Sequence, residues 1–255
     1  FKDLYVDGTA YVDAIGMGST AMTLPTADGT ANYVLKTDGS GTLSWTANSG
    51  SGASAVNDLS DALIEDNSLY LGNNPSSTTS SASYNVAIGT TALDAITTGD
   101  YNIAVGYNAL TANTTGSRNT ASGNNSLYAN TTGAQNTASG YQSMRYNTSG
   151  GSNTASGYES MYSNTTGESN TASGSYSLYA NTTGDKNTAY GYYSLYANTT
   201  GVQNTASGYQ SMRYNTTGDK NTAYGYYSLY SNTTGERNTA SGYNSLYANT
   251  TGSYN

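Results

Sequence analysis

The chain has 255 residues, no Cys, no His, two Pro and only 9 % charged side chains. Without His or Cys there is no imidazole base and no thiol nucleophile, and no paired carboxylates recur, so no catalytic residue is nominated. Sixteen acidic residues outnumber eight basic ones and no basic patch stands out, which argues against nucleic-acid binding. No run approaches the ~18 apolar residues of a membrane span, so no membrane insertion is expected. Low charge combined with 27 Tyr is not the composition of a solvated disordered chain.

Residues 1–47 read as short β-rich modules. Apolar runs at 4–6 and 10–12 flank an Asp7-Gly8 turn signal. Further turn signals stand at Asp28-Gly29 and Asp38-Gly39, with strand candidates at 33–35 and 42–45. Residues 48–84 read as a linker, Ser/Gly/Ala/Asn-rich at 48–57 and flexible again at 76–83. Within it, 59–64 and 69–71 form a small apolar patch. The acidic Asp58, Asp61, Glu65 and Asp66 lie here without the ordered spacing of a cation loop, so no metal site is nominated.

From residue 85 to 254 one 17-residue unit is written ten times without a gap, and an eleventh opens at Asn255. With Asn as position 1, position 3 is always Ala, positions 5 and 15 are always Gly, and position 9 is always Leu or Met. Positions 12–15 read Asn-Thr-Thr-Gly in eight of the ten copies. A fixed short period means one supersecondary unit stacked on itself. Gly every few residues disrupts helices, and runs of about five residues rich in Thr, Tyr and Ser suit strands. The expected fold is all-β, a parallel β-solenoid or β-roll over 85–255. Each coil is expected to run strand, turn at the position-5 Gly, strand, and Asn-Thr-Thr-Gly turn.

The interior looks thin. One buried Leu contributes ~2 kcal/mol, against more than ~17 kcal/mol of backbone ordering per coil. Ladders of hydrogen bonds and stacked side chains must contribute, and packing of copies about an axis would bury a second face. An intertwined or side-by-side homotrimer is therefore expected. Val86, Ile88, Ile103 and Val105, at positions 2 and 4 of the first two units, support burial opposite the position-3 Ala.

The string Asn-Thr-Ala-x-Gly-x-x-Ser-Leu-x-x-Asn-Thr-Thr-Gly resembles the repeats of bacteriophage tail-fibre proteins. Asn85-Val86-Ala87-Ile88-Gly89 is also similar to the head repeats of trimeric autotransporter adhesins. Leu24-Pro25-Thr26-Ala27-Asp28-Gly29 and the segment 34–45 resemble a linker module of phage fibres, and Leu59-Ser60-Asp61-Ala62 fits the same pattern. The resemblance implies a trimeric left-handed parallel β-roll. The 17-residue coil is longer than the usual adhesin-head unit.

Several repeated features admit two readings. Tyr at position 6 in seven copies and position 10 in six is either a ladder of stacked rings or a stripe that stacks on sugars, and the ladder is the simpler. Nine Asn-x-Thr/Ser sequons, from Asn113 to Asn249, mark either a glycan coat or turns in which Asn tolerates the left-handed conformation. Thr arrays at positions 2, 13 and 14 read as ordinary coil composition. Charges at positions 16–17, such as Asp185-Lys186, read as a solvated turn tip. Arg145 and Arg213 mark two Met-Arg-Tyr copies that break the pattern.

The expectation is a structural fibre subunit rather than an enzyme, with no cofactor. It is most simply a phage tail (or head) fibre shaft in the virion, a homo-oligomer meeting a host cell-surface glycan or protein. The alternative is a bacterial extracellular filament or trimeric-adhesin-like surface protein, with or without a glycan coat.

Overall fold

In a computed structural model the described residues are 14–17, 20–23, 33–37, 42–47, 62–72, 75 and 81–255. Among them there are strands and turns and no helix. The chain divides into two compact units, Phe1–Ala55 and Val56–Asn255. The expected strands at 4–6 and 10–12, the Asp7-Gly8, Asp28-Gly29 and Asp38-Gly39 turns, and the 48–57 and 76–80 stretches lie outside the described residues. In the first unit β1 (Ala14–Met17) pairs antiparallel with β2 (Thr20–Thr23), and β3 (Tyr33–Thr37) with β4 (Leu43–Ala47), which sets Leu35 opposite Trp45.

The second unit opens with a hairpin, β5 (Ala62–Glu65) and β6 (Ser68–Leu71). Its two turn residues, Asp66 and Asn67, both have positive φ (45° and 60°), the backbone of a tight hairpin turn. These residues, read from sequence as a patch within a linker, start the main sheet: β6 pairs in parallel with β7 (Val86–Ile88). One strand per coil follows: β8 (Ile103–Val105), β9 (Thr120–Ser122), β10 (Thr137–Ser139), β11 (Thr154–Ser156) and β12 (Thr171–Ser173). The series ends with β13 (Thr188–Tyr190), β14 (Thr205–Ser207), β15 (Thr222–Tyr224) and β16 (Thr239–Ser241). Together β5 to β16 make one 12-stranded sheet in chain order. From β7 to β16 every pairing is parallel and in register by one unit, Ala on Ala throughout. At ~4.8 Å per coil, ten coils extend roughly 48 Å. The region is a parallel β-solenoid of 17-residue coils.

Each coil has one strand where two were expected. Positions 8 and 9 explain the difference. Ser160 and Met161 are adjacent and both fully buried, whereas a strand would turn one of them outward. Positions 6–11 instead form two linked turns, closed by Ser160 N–H to Gly157 O (3.4 Å) and Asn164 N–H to Met161 O (3.1 Å). Positive φ at positions 7 and 9 (Glu159 49°, Met161 50°) makes the reversals. The left-handed conformation costs a Met or Leu about 1–2 kcal/mol. It aims the side chain inward, where burial returns ~2 kcal/mol. It also directs the Met161 N–H to Ser177 O of the next coil, at 3.0 Å.

The interior is as much polar as apolar. Ala155, Met161, Ser160, Asn153 and Asn164 are all fully buried, and their counterparts in the other inner coils repeat this. The position-1 Asn153 takes its backbone bond from the coil below, N–H to Asn136 Oδ1 at 3.0 Å. Its Nδ2 donates to Gly167 O at 2.8 Å within its own coil. The position-12 Asn164 donates from Nδ2 to Asn147 Oδ1 below (2.7 Å) and to the same Gly167 O (3.1 Å). A further cluster forms where Thr148 N, Ser149 N and Gly150 N, at 2.9–3.2 Å, and Thr148 Oγ1, at 3.0 Å, all donate to Thr165 O of the next coil. Buried carboxamides and backbone groups satisfied in this way close a coil that its apolar residues alone would leave thin, although Ser160 Oγ has no hydrogen-bond partner.

Both glycine columns are set by the distance between coils. Gly157 has φ +136°, and a Cβ there would lie 2.7 Å from the Gly174 carbonyl above. At Gly167 a Cβ would lie 2.6 Å from both Asn164 Oδ1 and Gly184 O. Gly167→Ala is therefore expected to destabilise the stack by ~3 kcal/mol, while Ser156→Ala on the exposed strand face changes it by less than ~0.5 kcal/mol. Urea unfolding followed by circular dichroism checks this; equal midpoints for the two variants would contradict the close-approach account.

Candidate interaction surfaces

The sequon asparagines are interior, not surface. Asn113 to Asn232 at position 12 are fully buried, and Asn249 is part-buried. In each, the Nδ2 that a glycan would substitute donates to the position-15 carbonyl of its own coil, as Asn113 does to Gly116 O at 2.8 Å. The positive φ expected of this turn falls elsewhere, at positions 7, 9 and 17. Position 16 also departs from a freely solvated tip. Asp185 Oδ1 accepts the Glu168 N–H at 2.7 Å, and Asp219 Oδ1 the Val202 N–H at 2.8 Å, each from the coil below.

Positions 2 and 4 point outward along the strand face. At its start this face is aliphatic: Ile64, Leu69, Val86 and Ile103 form one row, and Leu71, Ile88 and Val105 a second. Ile64, Ile88, Ile103 and Val105 are 38–49 % exposed. Stacked Tyr84 and Tyr101, with centroids 4.9 Å apart, border the strip. From β9 onward Thr and Ser replace the aliphatic residues, with Tyr190 and Tyr224 at position 4 as exceptions.

The tyrosines of positions 6, 7, 10 and 11 form a wall beside the strand face. Tyr162, Tyr179 and Tyr196 stack at 5.0 and 5.1 Å, so both faces of Tyr179 are covered by neighbouring rings. Tyr192, Tyr209, Tyr226 and Tyr243 form a second column at 4.9–5.6 Å. A sugar ring needs an open aromatic face, and within these columns the faces are taken. The Met-Arg-Tyr copies continue the wall. The Arg213 guanidinium occupies a ring's place, 4.7 Å from Tyr193 and 5.8 Å from Tyr196, and Nη1 donates to Gln210 Oε1 at 2.9 Å. Tyr214 meets Tyr230 edge-on at 5.0 Å. By contrast Tyr107, 53 % exposed, has no ring neighbour among the described residues.

The carboxylates Asp58 and Asp61 lie outside the described residues. Among the described residues no cluster of three carboxylates is placed to hold a metal ion, and no helix is long and apolar enough to cross a membrane.

Packing in the wall shifts phenol ionisation. Burial, with a hydrogen bond to Tyr146, pushes Tyr162 up to about 12. A hydrogen bond to Tyr214, then burial, pushes Tyr230 up to about 12. Both values lie above the unfolded value of about 10. Their contribution to stability is thus fully present below pH ~10 and is lost as pH rises through about 12. Alkaline titration followed by phenolate absorbance is expected to show a late-ionising fraction that Tyr162→Phe with Tyr230→Phe diminishes. All phenols ionising together near pH ~10 would contradict the packing.

No protein-family model, no curated protein and no solved structure matches this chain.

Proposed function

We propose that the chain is a structural fibre subunit, a length of homotrimeric shaft from a phage tail (or head) fibre in the virion that carries host-attachment contacts outward. The observation that carries this reading is the uninterrupted in-register stacking of ten coils, in which the buried asparagines bond to the coils above and below. Such a stack is a rod whose length follows coil number. Its use is mechanical, holding many weak contacts to a cell-surface glycan or protein so that avidity exceeds single-site affinity.

The aliphatic strip supports association of copies. Its seven side chains, four of them 38–49 % exposed and three less so, offer on the order of 400 Å² per copy, the size of the largest apolar patch on a typical monomer, which often serves contact. Its rows repeat at the coil spacing, so a second copy presents a matching surface, and cyclic symmetry brings three strips to one axis. A standard interface is roughly 800 Å² per partner, so association through the strip alone is expected to depend on concentration. The alternative, a bacterial surface filament of the trimeric-adhesin kind, is favoured by Val86 and Ile88, which lie in the Asn85–Gly89 segment that resembles adhesin-head repeats.

Sedimentation of the whole chain over a concentration range tests this. The expected limiting mass is three copies. A variant with Val86→Thr, Ile88→Ser, Ile103→Thr and Val105→Ser carries the outward residues of the later coils, so it is expected to fold and to sediment as one copy. A wild-type chain that stays single at every concentration would sink the oligomeric fibre.

A further inference from the structure

The chain has no Cys, so no disulfide can tie one coil to the next. We infer that the tyrosine wall is a site of oxidative phenol coupling, at which carbon–carbon dityrosine bonds join consecutive coils.

The geometry is that of reactants already in contact. Sixteen tyrosines from Tyr141 to Tyr247 are linked into one network by ring centroids 4.3–6.2 Å apart. The pairs Tyr162–Tyr179, Tyr179–Tyr196 and Tyr230–Tyr247 are parallel stacks between adjacent coils at 5.0–5.1 Å. Tyr141, Tyr192 and Tyr226 are 41–43 % exposed, so an oxidant too large to enter the interior reaches the wall directly.

The reaction needs a one-electron oxidant, such as a peroxidase acting with hydrogen peroxide. Each of two phenols gives up one electron to the oxidant and its hydroxyl proton to water, leaving neutral phenoxyl radicals. Spin density lies on the ring carbons beside the C–O carbon. Two such carbons form one C–C bond, and each ring hydrogen then shifts to its own oxygen, restoring two phenols. In sum two tyrosines lose two electrons and two protons, and one peroxide accepts them to become two waters. Rings held in contact need no diffusional encounter, which favours coupling over reaction with solvent. Because the rings touch throughout, a radical formed at one tyrosine passes to its neighbours by electron exchange, so two oxidations at different places can meet.

The molecule carries its own controls. Tyr107, Tyr190 and Tyr224 are 48–53 % exposed, more open than most of the wall, yet have no ring neighbour among the described residues.

The test oxidises the whole chain, at low concentration, with photogenerated tris(bipyridine)ruthenium(III) and persulfate as terminal acceptor. Denatured products are then read by intact mass, dityrosine fluorescence and peptide mapping. The expected result is loss of two hydrogens per link, a yield per chain independent of protein concentration, and links joining Tyr162 to Tyr179, Tyr179 to Tyr196 and Tyr230 to Tyr247. Tyr179→Phe keeps a stacked ring and removes the phenol. It is expected to abolish the first two links and leave the third at wild-type yield. Links found only between chains and rising with concentration would overturn the inference. So would Tyr107 or Tyr190 coupling as often as the wall, or hydroxylation of the wall without coupling.

Discussion

The carbonyl oxygen of the position-15 glycine is where each coil closes. In every coil after the first, two carboxamides of the same coil, from positions 1 and 12, donate to it, as Asn153 and Asn164 do to Gly167 O. The oxygens of those carboxamides then accept from the coil above: Asn153 Oδ1 from Asn170 N, and Asn164 Oδ1 from Asn181 Nδ2. Closure within a coil and stacking between coils thus use the same two side chains. A neutral hydrogen bond adds only about 1 kcal/mol net, but a buried carboxamide left unpaired costs about 1–3 kcal/mol, and here each is bonded on both sides. The fixed coil length follows. One residue inserted between positions 1 and 12 would carry a carboxamide off its ladder, and a Cβ at position 15 would fill the space that the ladder occupies.

With the interior settled by these ladders, the outer residues are free to vary, and they vary by zone. The hairpin β5–β6 and the first two coils present aliphatic rows, while later coils present Thr and Ser with a tyrosine wall alongside. The start of the stack also shows how the ladders end. Ile96 stands at position 12 of the first coil, fully buried beneath the Asn column, and Tyr70 fills the place of the Ala column in β6. At position 12 an apolar side chain thus replaces the carboxamide where no coil lies beneath, while at position 1 Asn85 is kept and its N–H donates to Ser68 Oγ of β6 at 2.9 Å.

Much of this was legible in the sequence because the period is strict. Ala at position 3 and Leu or Met at position 9 mark the core directly, and two invariant glycines mark the turns. The second strand was misread because alternation cannot show that positions 8 and 9 both face inward; only the left-handed backbone at position 9 does that. The position-12 Asn was read as a surface turn residue because Asn is mostly exposed in proteins, and its partner is the same residue seventeen places away. A signal was present: a polar residue at one position in nine consecutive copies is better explained by a ladder than by a solvated turn. The tyrosine spacing showed the ladders of positions 6 and 10. The crossing contacts through positions 7 and 11, and the guanidinium of Arg213 standing in for a ring, depend on side-chain directions that spacing does not carry.

The central claim, that buried carboxamide ladders hold the stack together, is tested most directly by hydrogen exchange of the side-chain amides, read by NMR on the intact chain. The account predicts that the Nδ2 protons of position-1 and position-12 asparagines exchange as slowly as the backbone amides of the strands. The side-chain amides of Asn124 and Asn244, on exposed residues, should exchange at the solvent rate. Rapid exchange at all asparagine side chains would show that the ladders are open to water and that another interaction holds the coils in register.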